Sequence, residues 1–175
     1  MMTNIGSNND GGGERHVCVP SSACLSCLVA SNLAAELTES QTESLLKIVS
    51  IRRLSKGESL LFEGESDNNV YAIAKGKFEV VKGESVGREI PLAHLRPGMI
   101  TGELAFLDGL KRTATVKAAT DDCCAIALDR ESVESMLEVD GMFVYKIMRT
   151  IVRSAYKTVA EMNAAHINIL QHIQG

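Results

Sequence analysis

Two charged residues stand out in the segment 101–116, whose other residues are largely apolar or small: the carboxylate of Glu103 and the guanidinium of Arg112. A carboxylate accepts hydrogen bonds from hydroxyl groups, whereas a guanidinium presents a planar fork of donors that matches phosphate oxygens. The pair could therefore bind a small anionic ligand that also carries hydroxyls. Alternatively, the two side chains could pair only with each other and leave an empty pocket.

The residues G-E-L-A, 102–105, predict a short helix between these two charges. The start of a helix presents unpaired backbone N–H groups and the positive end of the helix dipole, so a phosphate is a natural occupant. A ligand whose phosphate and ribose are joined into a single compact group is a cyclic nucleotide. The residue types therefore favour that class of ligand.

The spacing of apolar residues changes along the chain, from helical to strand-like and back to helical. Between Ile51 and Leu128, short β-prone runs alternate with glycines at intervals of about 7 to 12 residues, which is typical of an antiparallel β-roll or jelly-roll barrel. The segment Ser31–Val49 has helical spacing and predicts two short helices, the second opened by a capping box of Thr38 and Gln41. We expect a mainly β fold with flanking helices.

From about Gly141 onward the sequence predicts one long helix. Apolar or small side chains, and one threonine, recur in steps of three and four residues, at Ile147, Ile151, Ala155, Thr158, Met162, Ala165, Ile169 and Ile173. A helix of about 30 residues would be about 45 Å long, which exceeds what this domain could cover. The seam therefore predicts a homodimer through the C-terminal helix. The alternative is a helix that folds back entirely onto its own barrel.

The segment G-E-L-A-F-L-D-G-L-K-R-T-A-T-V-K-A, residues 102–118, closely resembles the phosphate-binding cassette of cyclic nucleotide-binding domains. Residues 54–80, L-S-K-G-E-S-L-L-F-E-G-E-S-D-N-N-V-Y-A-I-A-K-G-K-F-E-V, resemble the first half of the same β-roll. The resemblance covers about residues 45–160 and is to the Crp/Fnr-like bacterial superfamily. It implies a cyclic nucleotide-binding sensor or regulatory module whose ligand is cAMP or cGMP.

The resemblance also implies a role for each residue of the cassette. Glu103 would contact the ribose 2′-hydroxyl, and Arg112 would contact the exocyclic phosphate oxygens. Thr158, on the C-terminal helix, would face the purine. The other residues implied to line the pocket are Gly102, Leu104, Ala105 and Thr113. Among relatives, a threonine at the position of Thr113 is found with cGMP and a serine or threonine there is found with cAMP, so Thr113 does not indicate which nucleotide binds. Thr101 differs from the aromatic residue that usually precedes Gly-Glu.

The five cysteines are an odd number, and three of them, Cys18, Cys24 and Cys27, form a C-x5-C-x2-C pattern near His16. Oxygen-sensing relatives hold an iron-sulfur cluster with the reverse spacing. Together with His16, Cys123 or Cys124, the three thiolates could also form a zinc site. The remaining alternative is that these cysteines simply pack as small apolar residues. A redox or metal sensor is therefore a second hypothesis, beside a dimeric interaction module that keeps the fold without a ligand.

Composition and length limit the classes of function that the chain can have. The net charge of −4 and pI near 5.6 give no basic field for nucleic acid, and no apolar run is long enough to span a membrane. We expect a cytoplasmic protein without enzymatic activity that acts through a downstream protein partner. Relatives that are transcription factors continue into a helix-turn-helix domain, so we expect a stand-alone module without direct DNA recognition. The expected divisions are a disordered tail (1–15), a cysteine-containing helical segment (16–50), a β-roll (51–130) and C-terminal helices (131–175).

Overall fold

The structure is a computed structural model that describes residues 16–17, 22–83 and 88–173, with side chains described for 25–83 and 88–161. The predicted tail at 1–15 and Cys18 lie outside the described residues. No helix in the described ranges has the length and apolar character needed to cross a membrane.

The described chain contains helices that flank a β-roll. The helices are α1 (Ser22–Ala30), α2 (Glu39–Ile48), α3 (Glu103–Asp108), α4 (Arg130–Glu134) and α5 (Gly141–Ile173). The strands are β1 (His16–Val17), β2 (Val49–Leu54), β3 (Ser59–Leu61), β4 (Asn69–Lys75), β5 (Phe78–Gly83), β6 (Glu89–Leu95), β7 (Ile100–Thr101), β8 (Thr115–Ala118) and β9 (Cys123–Asp129).

The strands form two antiparallel sheets, in the order β1-β2-β9-β4-β7 and β3-β8-β5-β6. The prediction of a mainly β, antiparallel fold with flanking helices is confirmed. The alternation of side chains along β9 divides the core, because successive residues of a strand point to opposite faces. Ala125 and Ala127 pack between the sheets with Phe78, whereas Ile126 and Leu128 pack beneath the helices.

The N-terminal helices differ in part from the prediction. The capping box is confirmed, since Thr38 caps α2 and exchanges both hydrogen bonds with Gln41. However, α1 ends at Ala30, and residues 31–36 form turns instead of a helix. The Ser31 hydroxyl donates to the Leu28 carbonyl at 2.7 Å, and Asn32 has a left-handed backbone with φ 59°, so the helix cannot continue.

The long C-terminal helix is confirmed as α5, but the first half of its predicted seam is turned inward. Ile147 and Ile151 are fully buried in the protein's own core together with Phe143, because this part of α5 packs over the sheet. These two residues are therefore unavailable to a second copy. The side chains of the predicted seam from Met162 onward lie outside the described side chains.

A pair of arginines also ties α5 to the turns before α2. Arg149 Nε donates to Glu36 at 2.8 Å, and Arg153, one turn further along α5, forms an ion pair with the same carboxylate. The guanidinium of Arg149 lowers the pKa of Glu36 by donating these hydrogen bonds.

Candidate ligand-binding site

Arg112 lies at the centre of the site and is almost completely buried, with 4% of its surface exposed. Its Nη1 donates to the Gly102 carbonyl at 2.7 Å, and its Nη2 donates to the Asn69 carbonyl at 2.5 Å. Nη2 also lies 2.8 Å from Oδ2 of Asp67, which gives the guanidinium a half-buried counterion. The position of the arginine fork is therefore fixed from three sides.

Asp67 is the centre of a hydrogen-bond network around this arginine. Its carboxylate accepts hydrogen bonds from the Asn69 backbone N–H at 2.8 Å and from the Tyr71 hydroxyl at 2.7 Å. Burial opposes ionisation of Asp67, but the hydrogen bonds from Asn69, Tyr71 and Arg112 outweigh it and lower its pKa. Burial and the neighbouring Asp67 charge raise the pKa of Tyr71, so its hydroxyl remains a donor.

The third nitrogen of the guanidinium, Nε, is the exception to this arrangement. It is buried and finds no hydrogen-bond partner among the residues that the structure describes. A buried donor of a charged group without a partner is costly, and such a group marks a place where an acceptor is missing. A phosphate oxygen would satisfy it, since guanidinium and phosphate form charge-assisted hydrogen bonds.

Gly102 allows the backbone to approach the guanidinium. Its φ of 82° is left-handed, and a side chain built there would overlap Nη1 of Arg112. The same residue is the N-cap of α3, whose Phe106 N–H donates to the Gly102 carbonyl at 3.1 Å. Ala105 and Phe106 are buried and anchor α3 to the core.

Glu103 begins α3 but does not form the ion pair with Arg112 that the sequence left open, since the described carboxylate that pairs with Arg112 is Asp67. Burial raises the pKa of Glu103, and its own backbone N–H and the charge of Arg112 only partly oppose that effect. A half-buried carboxylate of this kind gains from donors that a ligand would bring.

The remaining predicted residues lie around this centre. The backbone of Arg112 is bonded on both sides to the turn at 64–65, with Gly64 donating to Arg112 and Arg112 donating to Glu65, each at 2.9 Å. Thr113 is exposed, and its carbonyl accepts a hydrogen bond from Lys82 at 3.0 Å. Leu104, on the outer side of α3, is 57% exposed.

Thr158 lies on α5, and its hydroxyl donates within that helix to the Ser154 carbonyl at 3.2 Å. The structure therefore places Arg112 and Gly102 in direct contact, with Glu103 next in sequence, while the contact of Thr158 is to its own helix.

The cysteines occupy different places. Cys24 lies on α1, with its side chain outside the described part, and Cys27 lies half-buried on the same helix. Both cysteines of β9 are buried, on opposite faces of the strand. Among the side chains that the structure describes, no group of three or more His, Cys, Asp or Glu residues could hold a metal ion. The metal site formed by all three N-terminal cysteines stays a prediction.

Sequence reasoning did not single out Asp67, Asn69 or Tyr71. An aspartate before two asparagines indicates a turn, which is a common arrangement and carries no sign of a distant arginine. The pairing of Asp67 with Arg112 follows only from the antiparallel sheet that brings the start of β4 beside α3.

A family model described as the cyclic nucleotide-binding domain matches residues 51–140. The chain belongs to this family. Its resemblance to Crp/Fnr-like cyclic nucleotide-binding domains is thereby confirmed. The matched residues include the short helix α3 and most of the two sheets.

Two relatives show how much of this chain, and how much of each relative, the sequence similarity covers. The cGMP-dependent protein kinase 2 of Mus musculus is 33% identical over 118 residues, which are 67% of this chain and 15% of that protein. The cyclic AMP receptor protein of Thermus thermophilus is 24% identical over 127 residues, covering 73% of this chain and 58% of that protein. The chain thus spans only part of the curated relatives that it matches.

Two solved structures share the fold. The N-terminal domain of a transcriptional regulator from Streptomyces coelicolor is 29% identical, with a TM-score of 0.63, and the match covers 78% of this chain and 94% of that one. A cyclic nucleotide-binding domain from Methylobacillus flagellatus has a TM-score of 0.70 at 19% identity, covering 85% of this chain and 83% of that one, which bears on the fold alone.

Proposed function

We propose that this chain is a regulatory module that binds cAMP or cGMP at the site around Arg112. The observation that carries the proposal is the buried guanidinium whose Nε lacks an acceptor among the described residues. Membership of the cyclic nucleotide-binding domain family supports it, as do relatives named as a cGMP-dependent protein kinase and a cyclic AMP receptor protein.

In this proposal Arg112 binds the exocyclic phosphate oxygens and Glu103 binds the ribose 2′-hydroxyl. The pocket wall is formed by Gly102, Leu104, Ala105 and Thr113, and Thr158 on α5 faces the purine. The proposed role of this site is binding and regulation, since the family's matched domain is named for nucleotide binding. The β-roll of 51–130 is then the sensing part, and the helices that lie within 16–50 and 131–175 transmit its state to a protein partner.

We expect nucleotide affinity to rise with pH because of Glu103. Burial raises the pKa of Glu103 in the free protein, whereas hydrogen bonds donated by ribose hydroxyls favour its ionised form. Binding therefore releases a proton from the fraction that is protonated, and the affinity is lower at pH values where Glu103 is neutral. Calorimetric titration with cAMP and with cGMP at about pH 5 and about pH 8 measures this difference.

Glu103→Gln should lose about 10-fold or more in affinity at the higher pH and lose the pH dependence as well. Glu131→Gln, at an exposed position on α4, serves as the matched control and should behave as the wild type. A pH dependence that survives in Glu103→Gln would remove Glu103 from the site. The absence of binding heat for either nucleotide in the wild type would favour the ligand-free interaction module.

We further propose that the module is a homodimer through α5, along a different face from the predicted seam. The outward side of α5 carries apolar or aromatic residues that are more than half exposed, in steps of three, seven, four and three residues: Met142, Tyr145, Val152, Tyr156 and Val159. Arg149 lies between Tyr145 and Val152 in this series, and its Cζ atom is 5.3 Å from the centroid of the Tyr145 ring. This repeat is typical of a coiled-coil seam, and a second copy of α5 is the partner whose pattern matches it.

Tyr156→Glu is expected to weaken the dimer by at least about 10-fold, because it places a carboxylate in an apolar seam opposite its own copy. Sedimentation equilibrium over a range of concentrations measures the dissociation constant. Lys157→Glu changes more charge on the neighbouring position and should leave that constant nearly unchanged. A wild type that remains monomeric, or a Tyr156→Glu variant that dimerises normally, would contradict the proposal.

A further inference from the structure

Two cysteines far apart in the sequence meet between α1 and β9. The Sγ atoms of Cys27 and Cys124 are 3.6 Å apart, although 97 residues separate them along the chain. Cys124 is buried with Ile51 and Ala74, and Cys27 packs against that small cluster from the helix side. The two thiols are thus in van der Waals contact inside an apolar environment.

This distance is short enough for a covalent bond to form without rearranging the fold. A disulfide bond is about 2.05 Å long, so the two sulfur atoms need to approach by roughly 1.5 Å. Cys27 lies half-buried on a nine-residue helix that packs on β4 and β9. A rotation of its side chain with a small shift of α1 is a modest change compared with moving a strand of the central sheet.

We propose that Cys27 and Cys124 form a dithiol site for reversible oxidation, in which an intramolecular disulfide bond locks α1 onto β9. The oxidant belongs to the class of peroxides. This inference stands apart from nucleotide binding, since it rests on neither Arg112 nor Glu103.

The order of the two steps follows from accessibility. Cys27 is partly exposed, whereas Cys124 is 1% exposed. Burial is the larger cause, and the neighbouring Cys27 the next, that together raise the pKa of the Cys124 thiol to about 12. The Cys27 thiol gives up its proton, and the thiolate attacks one oxygen of hydrogen peroxide and breaks the O–O bond. The released hydroxide takes up that proton, so the products are a sulfenic acid and one water. The sulfur of Cys124 then attacks the sulfenyl sulfur, and its proton leaves with the hydroxyl group as a second water. Two thiols lose two electrons in total, and peroxide gains them.

Cys123 provides a matched control at the adjacent position. It is as deeply buried as Cys124 but points to the opposite face of β9, into the core between the two sheets. Its Sγ lies 3.3 Å from the Lys77 carbonyl and 3.1 Å from the Thr120 carbonyl, so a serine would keep those hydrogen bonds. The pair with Cys27 is therefore specific to Cys124.

The test uses the full chain, reduced and then treated with a stoichiometric amount of hydrogen peroxide. We expect the loss of two titratable thiols and a non-reducing peptide map that joins the segments of Cys27 and Cys124. We also expect a rise in the midpoint of thermal unfolding of roughly 5 to 15 °C that dithiothreitol reverses, because a crosslink over so long a loop restricts the unfolded chain. Cys123→Ser should retain all three effects.

Cys27→Ala and Cys124→Ala should each abolish the crosslink, and the former, at a half-buried helix position, does so without opening the core. The double variant Cys18→Ala, Cys24→Ala should still form it. Oxidation of Cys27 to sulfinic acid without a crosslink, or a bond mapped from Cys27 to Cys18 or Cys24, would overturn the proposal.

Discussion

Replacing Arg112 by alanine is expected to weaken cyclic nucleotide binding by roughly 100-fold or more. Removing one member of a buried, hydrogen-bonded charge pair costs 2 to 5 kcal/mol of binding free energy in comparable interfaces, which corresponds to about 30-fold to several thousand-fold. Arg112 offers the phosphate a guanidinium that is already fixed in place and whose Nε has no acceptor among the described residues, at a site with little access to water. Calorimetry with cAMP and cGMP measures the loss.

The same substitution should also lower stability, since it leaves Asp67 half-buried without its counterion. We expect a loss of about 2 to 4 kcal/mol in the free energy of unfolding, somewhat less than for a fully buried pair because Asp67 is partly exposed. Its depressed pKa means that the contribution of Asp67 is present at neutral pH and is lost as the pH falls through its folded-state pKa. Chemical denaturation at neutral pH gives the value.

Two further variants separate binding from folding. The double variant Asp67→Asn, Arg112→Ala removes the uncompensated charge and should recover part of the stability while binding stays weak. Lys111→Ala removes an exposed cation from the adjacent position and should bind as the wild type does. An Arg112→Ala variant that folds and binds with unchanged affinity would refute the assignment of the phosphate site.

Gly102→Ala should damage the site through the backbone. The left-handed φ of 82° costs an alanine about 1 to 2 kcal/mol, and its Cβ would overlap Nη1 of Arg112, which must then move. We expect nucleotide affinity to fall by about 10-fold to 100-fold, with a loss of stability beyond the backbone cost alone. Thermal unfolding and calorimetry report the two effects separately.

Gly57→Ala isolates the backbone cost. Gly57 has a φ of 89°, but apart from its two chain neighbours no described residue has an atom within 4 Å of the place that its Cβ would occupy. This variant should lose only about 1 to 2 kcal/mol of stability and keep the affinity of the wild type. Equal losses of affinity in the two glycine variants would show that the contact between Gly102 and Arg112 is not what shapes the site.

The longer strands were predictable because their residues signal them locally. The runs that became β4, β5 and β9 are rich in β-branched, aromatic or small apolar residues and are bounded by glycine or turn residues. Strand β2 was not predicted, because V-S-I-R-R-L follows α2 directly with no turn signal between them. Strands β1 and β7 are two residues long, too short for any period to show.

The site was predictable to the extent that it is continuous in the sequence. Gly102, Glu103 and Arg112 share one segment and carry a recognisable pattern, whereas Asp67 precedes Arg112 by 45 positions and meets it only through the sheet. The seam of α5 was harder for another reason. The helix carries apolar residues on two faces, and the spacing of three and four residues cannot tell which face the protein's own core takes.

The ion pairs of Glu36 affect how a change in the β-roll is transmitted to the N-terminal helices. It holds two arginines that are one turn apart on α5, so a displacement of α5 must either carry the turns before α2 with it or break both ion pairs. These pairs are solvent-accessible, and dissolved salt weakens such contacts readily. The two ion pairs of Glu36 therefore transmit small movements of α5 to the N-terminal helices. They break when the movement is large or the ionic strength is high.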